Sequence, residues 1–171
     1  MATAPELPPV APLPVPADAP GDGPLRPHQP HCFGCGPEND AGLGIRYGLD
    51  GDVVRATLTL DARHEGARGL AHGGIVAAIL DDVQGGVLVA MRTRAVTAKL
   101  DVDFVAPVVL GHELAVEAWL ESFEGRKIRL AGRILDSGRT VASARGLFIT
   151  VEKEHFLRYD ATPAPEPQVG T

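Results

Sequence analysis

Between residues 53 and 60 apolar and polar side chains alternate, with Val54, Ala56, Leu58 and Leu60 set against Val53, Arg55, Thr57 and Thr59. A period of two marks a half-buried strand. The same period returns in Val96, Ala98, Leu100, Val102 and Phe104, which alternate with Thr97, Lys99, Asp101 and Asp103. It returns again in Leu114, Val116, Ala118 and Leu120 against Glu113, Glu117 and Glu121, and in Ile128, Leu130 and Ile134 against Arg129 and Arg133. A last strand is expected through Val141, Leu147, Phe148, Ile149 and Val151. Turn residues at Glu124-Gly125 and Asp136-Ser137-Gly138 separate these runs, and such short connections imply antiparallel pairing.

One stretch breaks the period. From about Gly74 to Met91, Ile75, Val76, Ile79, Leu80, Val83 and Val87 recur at helical spacing and form one apolar stripe. The opposite side carries Ala77, Ala78, Asp81, Gln84 and Gly85. The pattern predicts an α+β domain in which one helix lies along an antiparallel sheet.

Composition sets the limits of that domain. Ten of the 15 prolines fall in the first 30 residues and three more in the last nine. Residues 1–30 and 157–171 are therefore expected to be disordered Pro/Ala-rich tails around a folded unit of residues 31–156. The chain carries 16 Lys+Arg against 22 Asp+Glu, net −6, and no basic block, which argues against nucleic acid as a partner. No apolar run is read as approaching the ~20 residues of a membrane span, and the N-terminus has no signal-peptide pattern. With two cysteines only, a cytoplasmic location is expected.

Chemistry concentrates in Gly69-Leu70-Ala71-His72-Gly73-Gly74 and the helix that follows. A glycine pair opening a helix presents unpaired N–H groups, and these donors with the positive helix end can hold an oxyanion. Asp81 lies nine residues after His72, about two and a half turns along the helix. His72, Gly73 and Asp81 of one chain therefore do not converge, and a shared site needs a second copy. Asp82 sits at the edge of the apolar stripe, so Asp81 is the better candidate. Cys32 and Cys35 form a Cys-x-x-Cys with His31 and His28 nearby. No second such pair exists, and Gly36-Pro37 reads as a turn, so the segment is expected to be a tight loop with no metal.

His72-Gly73-Gly74 through Asp81, with His64-Glu65-Gly66-Ala67-Arg68-Gly69 before it and Ala95 to Pro107 after it, resembles the signature of hotdog-fold acyl-CoA thioesterases of the PaaI-like, 4-hydroxybenzoyl-CoA-thioesterase type. Cys32-Phe33-Gly34-Cys35-Gly36-Pro37-Glu38-Asn39 with Gly42-Leu43 resembles the opening of a bacterial branch related to the THEM4-like group. The likeness covers about residues 31–151. It implies a hotdog fold, an antiparallel sheet wrapped around one long central helix, assembled as a homodimer or homotetramer. It implies an acyl-CoA substrate and no cofactor. Carried over, Gly73 supplies the N–H that polarises the thioester carbonyl, and Asp81 of the other subunit is nucleophile or general base. Thr97 orients the carboxylate or the water, and His72 shapes the pocket mouth. Gly74 and Glu65 lie at the substrate, where some relatives have Asn or Gln in place of Glu65. Arg126 and Lys127 lie near the coenzyme A phosphates. The alternatives are a non-catalytic acyl-CoA-binding module and a hotdog hydratase or dehydratase.

Overall fold

The structure, a computed structural model, describes residues 3–17 and 21–158. The sheet is built from seven antiparallel strands: β1 (Gly23–Pro24), β2 (Tyr47–Asp50), β3 (Val53–Thr59), β4 (Ala95–Phe104), β5 (Glu113–Glu124), β6 (Lys127–Asp136) and β7 (Arg139–Thr150). Their order across the sheet is β1-β2-β3-β5-β6-β7-β4. Helix α1 (Gly73–Ala90) lies in the concave face, and a short helix α2 (Lys153–Leu157) follows the last strand. This is the hotdog arrangement.

The alternating positions of β3, β5, β6 and β7 supply the core. Val54, Leu114, Val116, Leu130, Ile134 and Ala144 pack with Val76, Ile79, Leu80, Val83 and Val87 of the helix, all at most 2% exposed. The β6–β7 connection is the two-residue turn Ser137-Gly138, whose φ values of 50° and 78° follow the strand twist. Ser137 accepts the left-handed conformation there, and Gly138 adopts it without steric cost.

Helix α1 departs from the one-sided stripe. Its second half is enclosed, and Gln84, Gly85 and Gly86 are buried along with the apolar positions. A Cβ at Gly146 of β7 would run into Gln84, and one at Gly85 would lie 2.6 Å from the His28 ring. The stripe missed this because the helix is wrapped by strands on one side and covered by the N-terminal segment on the other. By length and composition the helix could cross a membrane, with a mean hydropathy of 1.5, but here it is the core of the sheet.

The proline-rich start also departs from expectation. The Trp119 indole N–H donates to the Pro8 carbonyl at 3.0 Å, and the Ala11 N–H donates to the Leu120 carbonyl at 2.9 Å. The Leu13 N–H donates to Asp52 Oδ1 at 2.8 Å, and the Leu13 side chain is buried. Proline removes donors but keeps its carbonyl, and the non-proline residues between still donate. Thus residues 8–13 dock on β5 and the β2–β3 turn instead of hanging free, and β1 extends the sheet before residue 31. Of the expected C-terminal tail, residues 159–171 lie outside the described residues.

Candidate active site

The loop before α1 is a small hairpin that presents the helix start. His72 N–H donates to the His64 carbonyl at 2.8 Å, Gly66 N–H to the Leu70 carbonyl at 2.9 Å, and Ala71 N–H to the Val108 carbonyl at 2.9 Å. The backbone must come close to do this, for a Cβ at Gly66 would lie 2.8 Å from His72 Cα. His72 is the N-cap, and its Nδ1 accepts from the Gly74 N–H at 2.9 Å. The ring proton of neutral His72 is therefore on Nε2. The His72 carbonyl accepts from Ile75 and Val76. These bonds use three of the first four N–H groups of the helix and leave that of Gly73 as the donor the turn does not consume.

Two further candidates are placed by their own hydrogen bonds. Gly74 lies at the helix start as predicted, but its N–H is committed to His72. Glu65 is held in its own loop, where Oε1 accepts from the Gly69 N–H at 2.6 Å.

Asp81 and Thr97 are brought together. The Thr97 hydroxyl donates to Asp81 Oδ1 at 3.0 Å. Strict alternation would put Thr97 on the outer face with Lys99, Asp101 and Asp103. A β-bulge between Thr97 and Lys99 inserts Ala98 and changes the parity of the strand. Thr97 pairs with Phe148, and beyond the bulge Leu100 and Val102 pair with Gly146 and Ala144, so all three face the helix. Burial raises the Asp81 pKa above the usual carboxylate value, against the Thr97 hydrogen bond that lowers it, and the neighbouring Asp82 charge adds to the rise.

Gly73 sits at the far end of the same strand, where a Cβ would touch the Phe104 ring at 3.6 Å. Helix α1 thus runs antiparallel to β4, with Gly73 beside Phe104 and Asp81 beside Thr97. Along the helix the two are about 12 Å apart. Strand β4 is the last of the sheet, paired only with β7, and Phe104 is 57% exposed.

A cavity of about 740 Å³ opens beside Asp81, within the usual range for small-molecule sites. Thr97, Leu88, Val96 and Phe148 line it, with Phe156 and Leu157 of α2 at its edge. Its cations are Arg92, Arg94 and Lys153. Sequence reasoning missed these and chose Arg126 and Lys127, which do not line it. The Arg126 guanidinium instead donates to the Thr150 carbonyl at 2.9 Å. Arg92 carries a left-handed φ of 50° just after the helix, where the Arg92 and Thr93 N–H groups close the last turn on the Val89 and Leu88 carbonyls. The signal for Arg92 and Arg94 was their place just past the end of α1, about one turn beyond Leu88 and three beyond Asp81.

The other wall of the cavity holds His28, Cys32 and Asp82. Asp82 faces away from Thr97. Its Oδ1 lies 3.4 Å from Cys32 Sγ and 3.5 Å from His28 Nδ1. Burial disfavours a charge on His28, but Asp82 and Cys35 outweigh it and bring its pKa up to about 11.

Residues 68–143 match the sequence profile of the thioesterase superfamily. The chain is 30% identical over 124 residues to the acyl-coenzyme A thioesterase THEM4 of Mus musculus, covering 69% of this chain and 54% of that protein. It therefore spans about half the length of this curated relative. Among solved structures, protein RHA08564 of the thioesterase superfamily superposes with a TM-score of 0.67 at 34% identity, over 70% of this chain and 60% of that one. A hypothetical thioesterase from Streptococcus pneumoniae TIGR4, solved with coenzyme A, shares the fold with a TM-score of 0.57 at 19% identity, over 58% of this chain and 82% of that one.

Proposed function

We propose that this chain is a thioesterase-superfamily enzyme, as the profile match over residues 68–143 supports, and that it hydrolyses an acyl-coenzyme A thioester at a site shared between two copies of itself. The observation that carries the proposal is the placement of two half-sites at opposite ends of one free edge strand. Asp81 with Thr97 stands at one end of β4, and Gly73 with Phe104 at the other.

An edge strand pairs readily with another strand. Two copies joined antiparallel along β4, about a twofold axis near Leu100 and Asp101, bring the Asp81 of each chain toward the Gly73 of the other. Each dimer then holds two complete sites.

The thioester carbonyl oxygen sits at the Gly73 N–H, where the helix dipole and the N–H meet the charge that develops on attack. Asp81 of the second copy attacks the carbonyl carbon or removes a proton from a water that does. The Thr97 hydroxyl holds one carboxylate oxygen and leaves the other for this work. The coenzyme A thiolate leaves and takes up a proton; where water is the nucleophile the free acid forms directly, and where Asp81 attacks, water then hydrolyses the mixed anhydride to the free acid and restores the carboxylate. Arg92, Arg94 and Lys153, around the cavity beside Asp81, suit the coenzyme phosphates by charge. The apolar part of the cavity suits an acyl chain.

Thiol release from a panel of acyl-CoAs tests this, with binding of a non-hydrolysable thioether analogue measured in parallel. Turnover of at least one acyl-CoA by a dimer or larger assembly is the expected result. Binding without thiol release would support a ligand-binding module instead, and an active monomer would overturn the shared site.

A further inference from the structure

The loop of residues 30–45 and the residues before it supply no reacting group to the proposed hydrolysis, yet four metal-ligating side chains meet there. One ligand atom each of His28, Cys32, Cys35 and Asp82 lies within 4.8 Å of all the others. We propose that these four residues bind one Zn²⁺ in a closed tetrahedral site that rivets the N-terminal segment to helix α1. The ligands are His28 Nδ1, the Cys32 and Cys35 sulfurs and an Asp82 carboxylate oxygen.

The spacing fits the ion. Zinc bonds of ~2.0–2.3 Å arranged as a tetrahedron put neighbouring ligand atoms ~3.3–3.8 Å apart. His28 Nδ1 lies 3.2 Å from Cys35 Sγ and 3.5 Å from Asp82 Oδ1, and Asp82 Oδ1 lies 3.4 Å from Cys32 Sγ. The two sulfurs are separate thiols. Asp82 is 9% exposed, and its Oδ2 has no hydrogen-bond partner among the described residues. A buried carboxylate with a spare oxygen is costly, and a divalent cation removes that cost.

The loop is shaped to bring the sulfurs in. A Cβ at Gly34 would run into the Asp82 carboxylate, and one at Gly36 into the Cys32 backbone. A Cβ at Gly85, one turn after Asp82, would strike His28 at 2.6 Å. Only glycine lets the loop, the histidine and the helix close on one point. The His28 N–H donates to Cys35 Sγ at 3.3 Å. Such an outer donor stabilises a metal-bound thiolate.

Donor set and closure select the metal and its role. Two thiolates, an imidazole and a carboxylate at tetrahedral spacing suit Zn²⁺. Four protein ligands leave no position for substrate, so the ion is structural. Binding releases to solvent the protons that the two thiols and His28 Nδ1 carry. The ion would fix Asp82, and with it the turn of α1 that aims Asp81 at Thr97. It would also hold the cavity wall made by Cys32.

The test uses the full chain, expressed in zinc-supplemented medium and purified anaerobically with reductant and without chelator. Elemental analysis is expected to find one zinc per chain. Replacement by Co²⁺ is expected to give thiolate-to-cobalt charge-transfer absorption and the strong visible bands of a tetrahedral ion. Cys35→Ser should weaken the charge-transfer band, and Cys32→Ser/Cys35→Ser should abolish both metal content and bands. If those variants fail to fold, the wild-type metal content and cobalt spectrum decide alone. A folded wild-type chain without stoichiometric metal or cobalt bands would overturn the proposal, as would a folded double variant that retains one zinc. Neither readout depends on hydrolysis, so the zinc site and the thioesterase reading stand or fall separately.

Discussion

The Thr97 hydroxyl donates to Asp81 Oδ1 at 3.0 Å across the gap between β4 and α1. That bond orients the carboxylate without neutralising it, and it separates the roles of two adjacent acids. Asp82 is turned to His28 and Cys32 on the other side of the helix.

Asp81→Asn keeps shape and can still accept from Thr97, but it loses basicity. The turnover number should fall at least ~10²-fold, the low end for a positioned acid–base group. Binding of the thioether analogue should persist. The melting temperature should not drop, because a carboxyl with a raised pKa makes the ionised fold less stable at neutral pH, and the amide removes that cost. Asp82→Asn should do the opposite, lowering the melting temperature while turnover falls far less. Steady-state kinetics with circular dichroism on both variants checks the contrast.

The pH profile carries a second expectation. In the proposed mechanism Asp81 works ionised, and burial raises its pKa while Thr97 holds it down. The acid limb of kcat/KM should therefore lie above the ordinary carboxylate range, with rate lost as pH falls through it. Thr97→Val removes the opposing bond, so the limb should move to still higher pH, whereas Thr97→Ser should restore it. A limb that stays put in Thr97→Val would show that another group titrates.

Most of the sheet is legible because its strands alternate cleanly, and the helix reads because its spacing changes from two to three and four. The Asp81–Thr97 pair is legible only through family resemblance. Periodicity alone points Thr97 outward, because a bulge leaves no mark in a run such as Val96-Thr97-Ala98-Lys99. Strand β2 is four residues long and contains Gly48, too short for a periodic signal. The His28, Cys32, Cys35 and Asp82 cluster is hidden for a different reason. Its ligands are 54 positions apart in the chain at their extremes, and His28 sits among prolines that suggest a free tail. His28 in register before Cys-x-x-Cys was the available clue.

Docking of the proline-rich segment should appear in stability. Leu13 is buried against the core cluster, so Leu13→Ala should cost about 2 kcal/mol, the low end for such a change at the edge of a core. Deletion of residues 1–16 removes the bonds to Leu120, Trp119 and Asp52 together and should lower the melting temperature further. Denaturant unfolding of both forms measures this. Unchanged stability on deletion would mean that these contacts contribute nothing net.

The proposed shared site rests on one N–H and one carboxylate from different chains. Gly73 is the first residue of α1, a position that tolerates proline, and His72 before it has the extended ψ of 137° that proline requires. Gly73→Pro should keep the fold and delete the donor, costing ~10²–10³ in turnover, as loss of one oxyanion donor does. Gly73→Ala keeps the N–H and should cost much less. The direct measurement mixes Gly73→Pro and Asp81→Asn chains one to one, exchanges subunits and assays thiol release. Half the dimers then pair unlike chains, and each of those has one intact site and one doubly damaged site. Activity should recover to about a quarter of wild type, far above either variant alone. No recovery after confirmed exchange would place Gly73 and Asp81 in the same chain's site and contradict the account.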